Sequence, residues 1–229
     1  FLWDARIKNF RSIRRGLQEV MAEIKADTFG NAYRGSSLET VLDSIAEQRQ
    51  VFKGADHAFM WKPKLRIPDI YENRPNQVAF GNFLDTCLCC NTEEHVIEAI
   101  QKLDRATIKG LGPAAANLLY FLHPTIAPPF NTAIVRGYNA LTGADVKLGR
   151  WEQYLAMRRG VLALNSQYRN LLSNDLGAAA AFLFEVGTGR YPLPERQEDG
   201  SLDRWRSDLD QVRAESAASS KAVAAAREA

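Results

Sequence analysis

Apolar positions in this chain recur mostly at three- and four-residue intervals, the period of a helix buried along one side. Over residues 10–25, Ile13, Leu17, Val20, Met21 and Ile24 keep that spacing, while Arg11, Arg14 and Arg15 fall on the other face. Those arginines fit a solvated face or a nucleic-acid contact. Ser37 suits an N-cap, whose side-chain oxygen accepts an orphan N–H of the first turn. It predicts a helix over 38–51 with Leu38, Val41, Leu42 and Ile45 inward. From 54 to 75 the period breaks, and Pro63, Pro68 and Pro75 punctuate an aromatic, basic stretch expected to be an irregular loop or insertion. Helical spacing returns over 76–90. Thr92 then caps a helix to Leu103, with Glu93 and Glu94 in the first turn, where the helix dipole favours anions.

The second half continues in the same way. A proline-rich connection, 123–130, precedes a helix over 131–141, with Gly143 just past its end as a left-handed stop. Further helices are expected at 150–164, 168–172 and 176–185. Residues 202–229 are rich in Ala and Ser with few large apolar side chains, so a frayed helix or tail is expected there. No strand pair and no internal repeat is visible. The chain therefore reads as all-α, with a helical domain at 1–194 and a tail at 195–229.

Composition narrows the class. The chain has 229 residues, 46% hydrophobic and 24% charged, enough for a sizeable core and ordinary for a soluble globular protein. No apolar run is long enough to span a bilayer, and the stretch FLWDARIKNFRSIRRG lacks the apolar core of a signal peptide. It begins with Phe1 rather than Met, which points to a trimmed chain or a fragment. Net charge is +2; residues 195–229 hold eight acidic and six basic residues, leaving 23 basic and 19 acidic in the body. A mildly basic body is compatible with DNA binding through a local patch and does not require it. Cys87, Cys89 and Cys90 lie on one segment, and no second cluster is present to complete a zinc or iron–sulfur site. They read as buried thiols in a reducing compartment. A cytoplasmic monomer is expected, without metal or cofactor.

The densest chemistry lies at 107–119, TIKGLGPAAANLL. Gly110 and Gly112 can take positive φ and let a phosphate approach the main chain. Pro113 suits a first helical position, where its missing N–H costs nothing. The remaining N–H groups, with the positive end of the helix dipole, form an anion site. Leu103, Ile108, Leu111, Leu118 and Leu119 frame this turn as two short helices closed over a hairpin. Lys109, Gly110, Leu111, Gly112 and Ala114 are the candidate contacts to a DNA backbone.

The order of GLGPAAANLLYFL, PTIAPPF and NTAIVRGYNALTG resembles the helix-hairpin-helix superfamily of DNA base-excision glycosylases. Ala116-Asn117 stands where the family's hairpin ends in Ala-Asn. Thr132, Ile134, Arg136 and Asn139 fall at matching positions of the helix that follows. The resemblance covers 103–143. It implies a helical bundle in two lobes, a duplex DNA partner with Arg136 as a further DNA contact, and a base flipped into a pocket between the N-terminal helices and the hairpin half. Residues 57–61 would act as a wedge or lid. The family's essential aspartate falls on Asn131, the lysine of its bifunctional members falls on Ala114, and the four-cysteine iron–sulfur cluster of some members is missing. Phe29-Gly30-Asn31-Ala32-Tyr33-Arg34 is similar to an Asn-x-Tyr-Arg element of the branch named after α-glutamyl/putrescinyl thymine pyrophosphorylase. That similarity implies a hypermodified pyrimidine, with Asn31, Tyr33 and Arg34 facing the base, Tyr33 by stacking and Arg34 by bidentate contact.

Cleaving an N-glycosidic bond develops positive charge on the sugar, which a carboxylate stabilises. Asparagine has the shape without the charge. Asn131 reads as an N-cap, a pocket residue, or both. His123 reads as an acid–base group or a satisfied loop histidine. Asp145, Asp175 and Glu185 are the other acidic candidates, Asp175 with a capping role. With Asn131, His123 and Asp145 as catalytic candidates, the expected activity is a DNA enzyme acting on a modified base. The rival outcomes are a DNA-binding module that lost its aspartate and a helical protein-interaction domain.

Overall fold

Close helix approach organises the N-terminal part of the molecule, a computed structural model that describes residues 4–46, 65–66, 69–90 and 92–193, with isolated helical positions at 207, 210, 211, 214 and 218. Helix α1 (Asp4–Ala26) buries Ile13, Leu17, Val20 and Ile24 in a single stripe. A Cβ on Gly16 of α1 would lie 2.6 Å from Val41 of α2 (Ser37–Ala46). One on Gly81 of α3 (Arg74–Cys89) would lie 2.6 Å from Ile24. Both helices therefore seat closely on α1, where missing side chains make room.

The caps refine the sequence reading. Ser36, not Ser37, caps α2: its Oγ accepts from the N–H of Glu39 (3.2 Å), and Glu39 reaches back to the N–H of Gly35 (2.7 Å). Ser37 instead donates to Glu23 of α1 (2.6 Å). Pro75 does not interrupt; it sits in the first turn of α3, where no donor is needed, behind an Asn73 cap. Thr92 caps α4 (Glu93–Arg105), which buries Val96, Ala99, Ile100 and Leu103.

After α4 the chain turns into a four-residue 3-10 helix, Gly112–Ala115, and then α5 (Ala116–Leu122). Helix α6 (Thr132–Thr142) follows an Asn131 cap and stops at Gly143, φ 72°. Helices α7 (Trp151–Gln167) and α8 (Leu176–Gly187) complete the described body. The helix expected at 168–172 is a turn, with the N–H groups of Leu171 and Leu172 on Tyr168 O. Leu171 is 83% exposed and only Leu172 packs, partly buried, against the core, so this stretch buries too little apolar surface to hold a helix.

Helices α6 and α8 touch backbone to backbone. A Cβ on Gly137 would lie 1.8 Å from Leu183 O, and one on Gly187 would lie 2.0 Å from Ala133 O. The core between these layers is continuous. Its two largest buried hydroxyls are satisfied: Tyr120 donates to Asp175 (3.0 Å) and Tyr154 to Pro128 O (3.1 Å). Among the described residues the fold is all-helical, without a strand, and no helix is long and apolar enough to cross a membrane. Most of the tail, the 57–61 segment and the end of the helix expected over 38–51 lie outside the described residues.

Candidate nucleic-acid interface

The 106–112 turn has three successive constraints. Thr107 takes φ 49°, a left-handed conformation that a β-branched residue rarely adopts. Gly110 (φ 78°) and Gly112 (φ 42°) complete the bend. Ile108 and Leu111 are buried and anchor it, and Lys109 O accepts from the N–H of Asp69 (2.9 Å). The N–H of Leu111 is spent on Ile108 O (3.2 Å). Those of Gly110 and Gly112 meet no protein acceptor among the described residues. Gly110 and the Lys109 side chain are exposed.

This turn forms one wall of a cleft of about 580 Å³. Phe130, Asn131 and Thr132, at the start of α6, form the second wall, and Leu148, Gly149 and Trp151 the third. Asp104 and Thr107 add polar groups from the hairpin side. Turn and third wall adjoin: a Cβ on Gly112 would lie 3.5 Å from Gly149 O. The volume suits one organic ligand of moderate size, held by an apolar lining with a few polar groups.

Two asparagines fix the geometry. Asn117, on α5, clamps the backbone of Phe130 from both sides. Its Nδ2 donates to Phe130 O (2.9 Å), and its Oδ1 accepts from the Phe130 N–H (2.9 Å). The same Nδ2 reaches Ala114 O (3.3 Å), so one amide joins the hairpin to the residue before Asn131. Asn139, on α6, grips Val146 in the same manner, at 2.9 and 3.0 Å, and holds the 143–149 loop. Both residues carried the family resemblance in sequence, but their clamping role depends on partners that the sequence pattern did not identify.

The expected site residues divide between the cleft and other places. Gly110, Leu111, Gly112, Ala114 and Asn131 line the cleft. Asn131 caps α6, its Oδ1 accepting from the Ile134 N–H at 2.9 Å, so that oxygen already has a structural duty. Lys109 flanks the cleft through the turn, and Arg136 lies half-buried on α6, outside the lining. Asp145 is an exposed loop residue paired with Lys147 (3.4 Å), also outside it. Asn31, Tyr33 and Arg34 lie elsewhere: the Tyr33 ring meets Tyr71 edge-on at 6.1 Å, while Asn31 and Arg34 are exposed. Burial, then Asp43 and Glu39, push the Tyr33 hydroxyl above its ordinary pKa. The cleft lies against the α6 and α7 N-termini rather than the N-terminal helices.

His123 closes α5 in the core. Its ring Nε2 lies 2.6 Å from Cys87 O, an acceptor, so this nitrogen carries the proton and the histidine links α5 to α3. Burial lowers its pKa below the ordinary histidine value by disfavouring the charged ring. Asp175 caps α8, taking the N–H of Gly177 (2.8 Å) and the Tyr120 hydroxyl. Glu185 is buried against Arg190, at 3.1 and 3.2 Å. Of the three cysteines only Cys87 is fully buried, its thiol pushed up to about 12; Cys89 is exposed and Cys90 intermediate. Among the described residues no cluster of His, Cys, Asp or Glu is arranged to hold a metal.

Asp104, Leu148 and Trp151 are lining residues that the sequence reading missed. Gly149 between Lys147 and Arg150 was the available sign of a shaped loop. No family model, curated protein or solved structure matches this chain.

Proposed function

We propose that this chain binds duplex DNA through the 107–116 hairpin and acts on a modified base, a hypermodified pyrimidine among the candidates, turned out of the stack into the neighbouring cleft. One observation carries the reading: two N–H groups without acceptors among the described residues, on Gly110 and Gly112, share a cleft with the capped start of α6. Such donors suit a phosphate oxygen. Asn131, adjacent to that site, would meet the sugar or the base. The two-lobed glycosylase-like arrangement belongs to the same proposal.

A second reading has its own support. The Asn131 Oδ1 is committed to Ile134, and among the described residues the sole carboxylate in the lining is Asp104, on the hairpin side. A site without a charge opposite the sugar suits a DNA-binding module that performs no excision.

Two measurements separate these outcomes. Duplex affinity is measured across salt concentrations, where phosphate contacts give a linear fall of log affinity with log salt. DNAs of differing base modification are then incubated with the protein, and released or altered bases are identified by mass spectrometry. Salt-dependent binding with a released or altered base supports the enzyme. Binding alone supports the module, and no salt-dependent binding rejects both.

A further inference from the structure

Of the large apolar side chains that the described surface exposes, Leu148 alone lines the cleft, at 45% exposure. Its setting is unlike that of a chance surface leucine. The four residues Lys147-Leu148-Gly149-Arg150 are all exposed and place the apolar group between two cations. The loop beneath is firmly held. Val146 is clamped by Asn139, and the N–H of Lys147 donates to Gln153 of α7 (3.2 Å). Gly149 takes φ 112° with no atom within 4 Å of a Cβ position, so glycine serves the backbone shape there rather than close packing. That shape lifts Leu148 beside the hairpin turn, where Gly149 O faces Gly112 at 3.5 Å from its Cβ position.

We propose that Leu148 is the apolar wedge that this protein inserts into the DNA base stack, with Lys147 and Arg150 on the flanking phosphates. The inference rests on the duplex-DNA reading above. A wedge needs an apolar side chain on a stiff tip, held close to the phosphate-binding element and to the space that receives the extruded base. Leu148 satisfies each condition. The exposed ion pair between Lys147 and Asp145 (3.4 Å) does not oppose it, because so solvated a pair is readily exchanged for a phosphate.

The test uses the full chain and a duplex carrying 2-aminopurine, whose fluorescence rises on unstacking. The wild-type protein binds in a salt-dependent manner and raises the signal. Leu148→Ala keeps the salt slope, weakens binding by about tenfold through the lost apolar contact, and abolishes the rise; Leu148→Phe restores it. Lys147→Ala and Arg150→Ala each reduce the salt slope by about one. A rise that persists in Leu148→Ala overturns the wedge, as does wild-type binding without any rise. Absence of salt-dependent binding by the wild type overturns the underlying DNA reading instead. Helical content by circular dichroism should be unchanged in Leu148→Ala, since the side chain is exposed.

Discussion

The Asn117 amide is the joint on which the cleft depends, and its removal has a calculable cost. Asn117→Ala deletes two hydrogen bonds of 2.9 Å to the Phe130 backbone and a longer one of 3.3 Å to Ala114. A neutral hydrogen bond contributes about 1 kcal/mol net, and a backbone group left unpaired away from water costs about 1–3 kcal/mol. Phe130 is 4% exposed, but Asn117 itself is half-buried at the cleft, so water can reach part of the gap. The expected loss is about 2–3 kcal/mol, or about 5–10 °C in melting temperature for a chain of this size. Urea unfolding followed by circular dichroism measures it. Asn117→Asp keeps the acceptor and loses the donor, setting a carboxylate against two carbonyls, so at neutral pH it should be less stable than the alanine variant. A loss below about 0.5 kcal/mol for Asn117→Ala would show that the clamp contributes little and that Phe130 and Asn131 are not positioned by it.

Three further outcomes follow from the geometry. Gly137→Ala and Gly187→Ala each drive a methyl group into a facing carbonyl, so both should destabilise by about 3 kcal/mol or more, whereas Gly35→Ala meets no atom and pays only for its backbone conformation; thermal melts of the three variants compare them. Thr107→Gly relieves a β-branched residue at φ 49° and should raise stability by about 1 kcal/mol; an unchanged or lower unfolding midpoint refutes the strain. His123 has its pKa lowered by burial, so the unfolded chain takes up the proton first as pH falls. Its contribution is complete above about pH 6.5 and declines as pH drops through the lower folded value. His123→Gln, which can still donate to Cys87 O, should flatten the profile below about pH 6.5, and an identical profile in the variant excludes the residue as its source.

Elements with strong local patterning were legible in sequence. Ile13, Leu17, Val20 and Ile24 marked α1, Thr92 and Asn131 marked two helix starts, and Gly143 marked an end. Where the local pattern was ambiguous, burial decided. The 168–172 stretch had apolar residues but nothing to pack Leu171 against, and Pro75 lay within a helix's tolerant first turn rather than before it. The turn with its glycines was visible from residue type, because positive φ selects glycine. The walls that face it were not. They depend on Asn117 reaching thirteen residues ahead, on Asn139 holding a loop, and on Gly149 meeting Gly112. Such contacts arise from the packing of whole helices and leave no periodicity in the chain. For the same reason Tyr33 and Arg34, joined to the site by resemblance, do not line the cleft: Tyr33 lies against Tyr71 and Arg34 is exposed.

The glycine contact between α6 and α8 also bears on how the cleft can adapt. With main chains already touching, those two helices have no compressible layer between them and must move as one body. The second wall, which starts α6, is thus effectively anchored to the far side of the molecule. The 147–150 tip is pinned in turn through Val146 and the Lys147 N–H, so any widening to admit a bulkier guest falls to the 106–112 bend, and the guest's size limit is set by that short segment rather than by the helical frame.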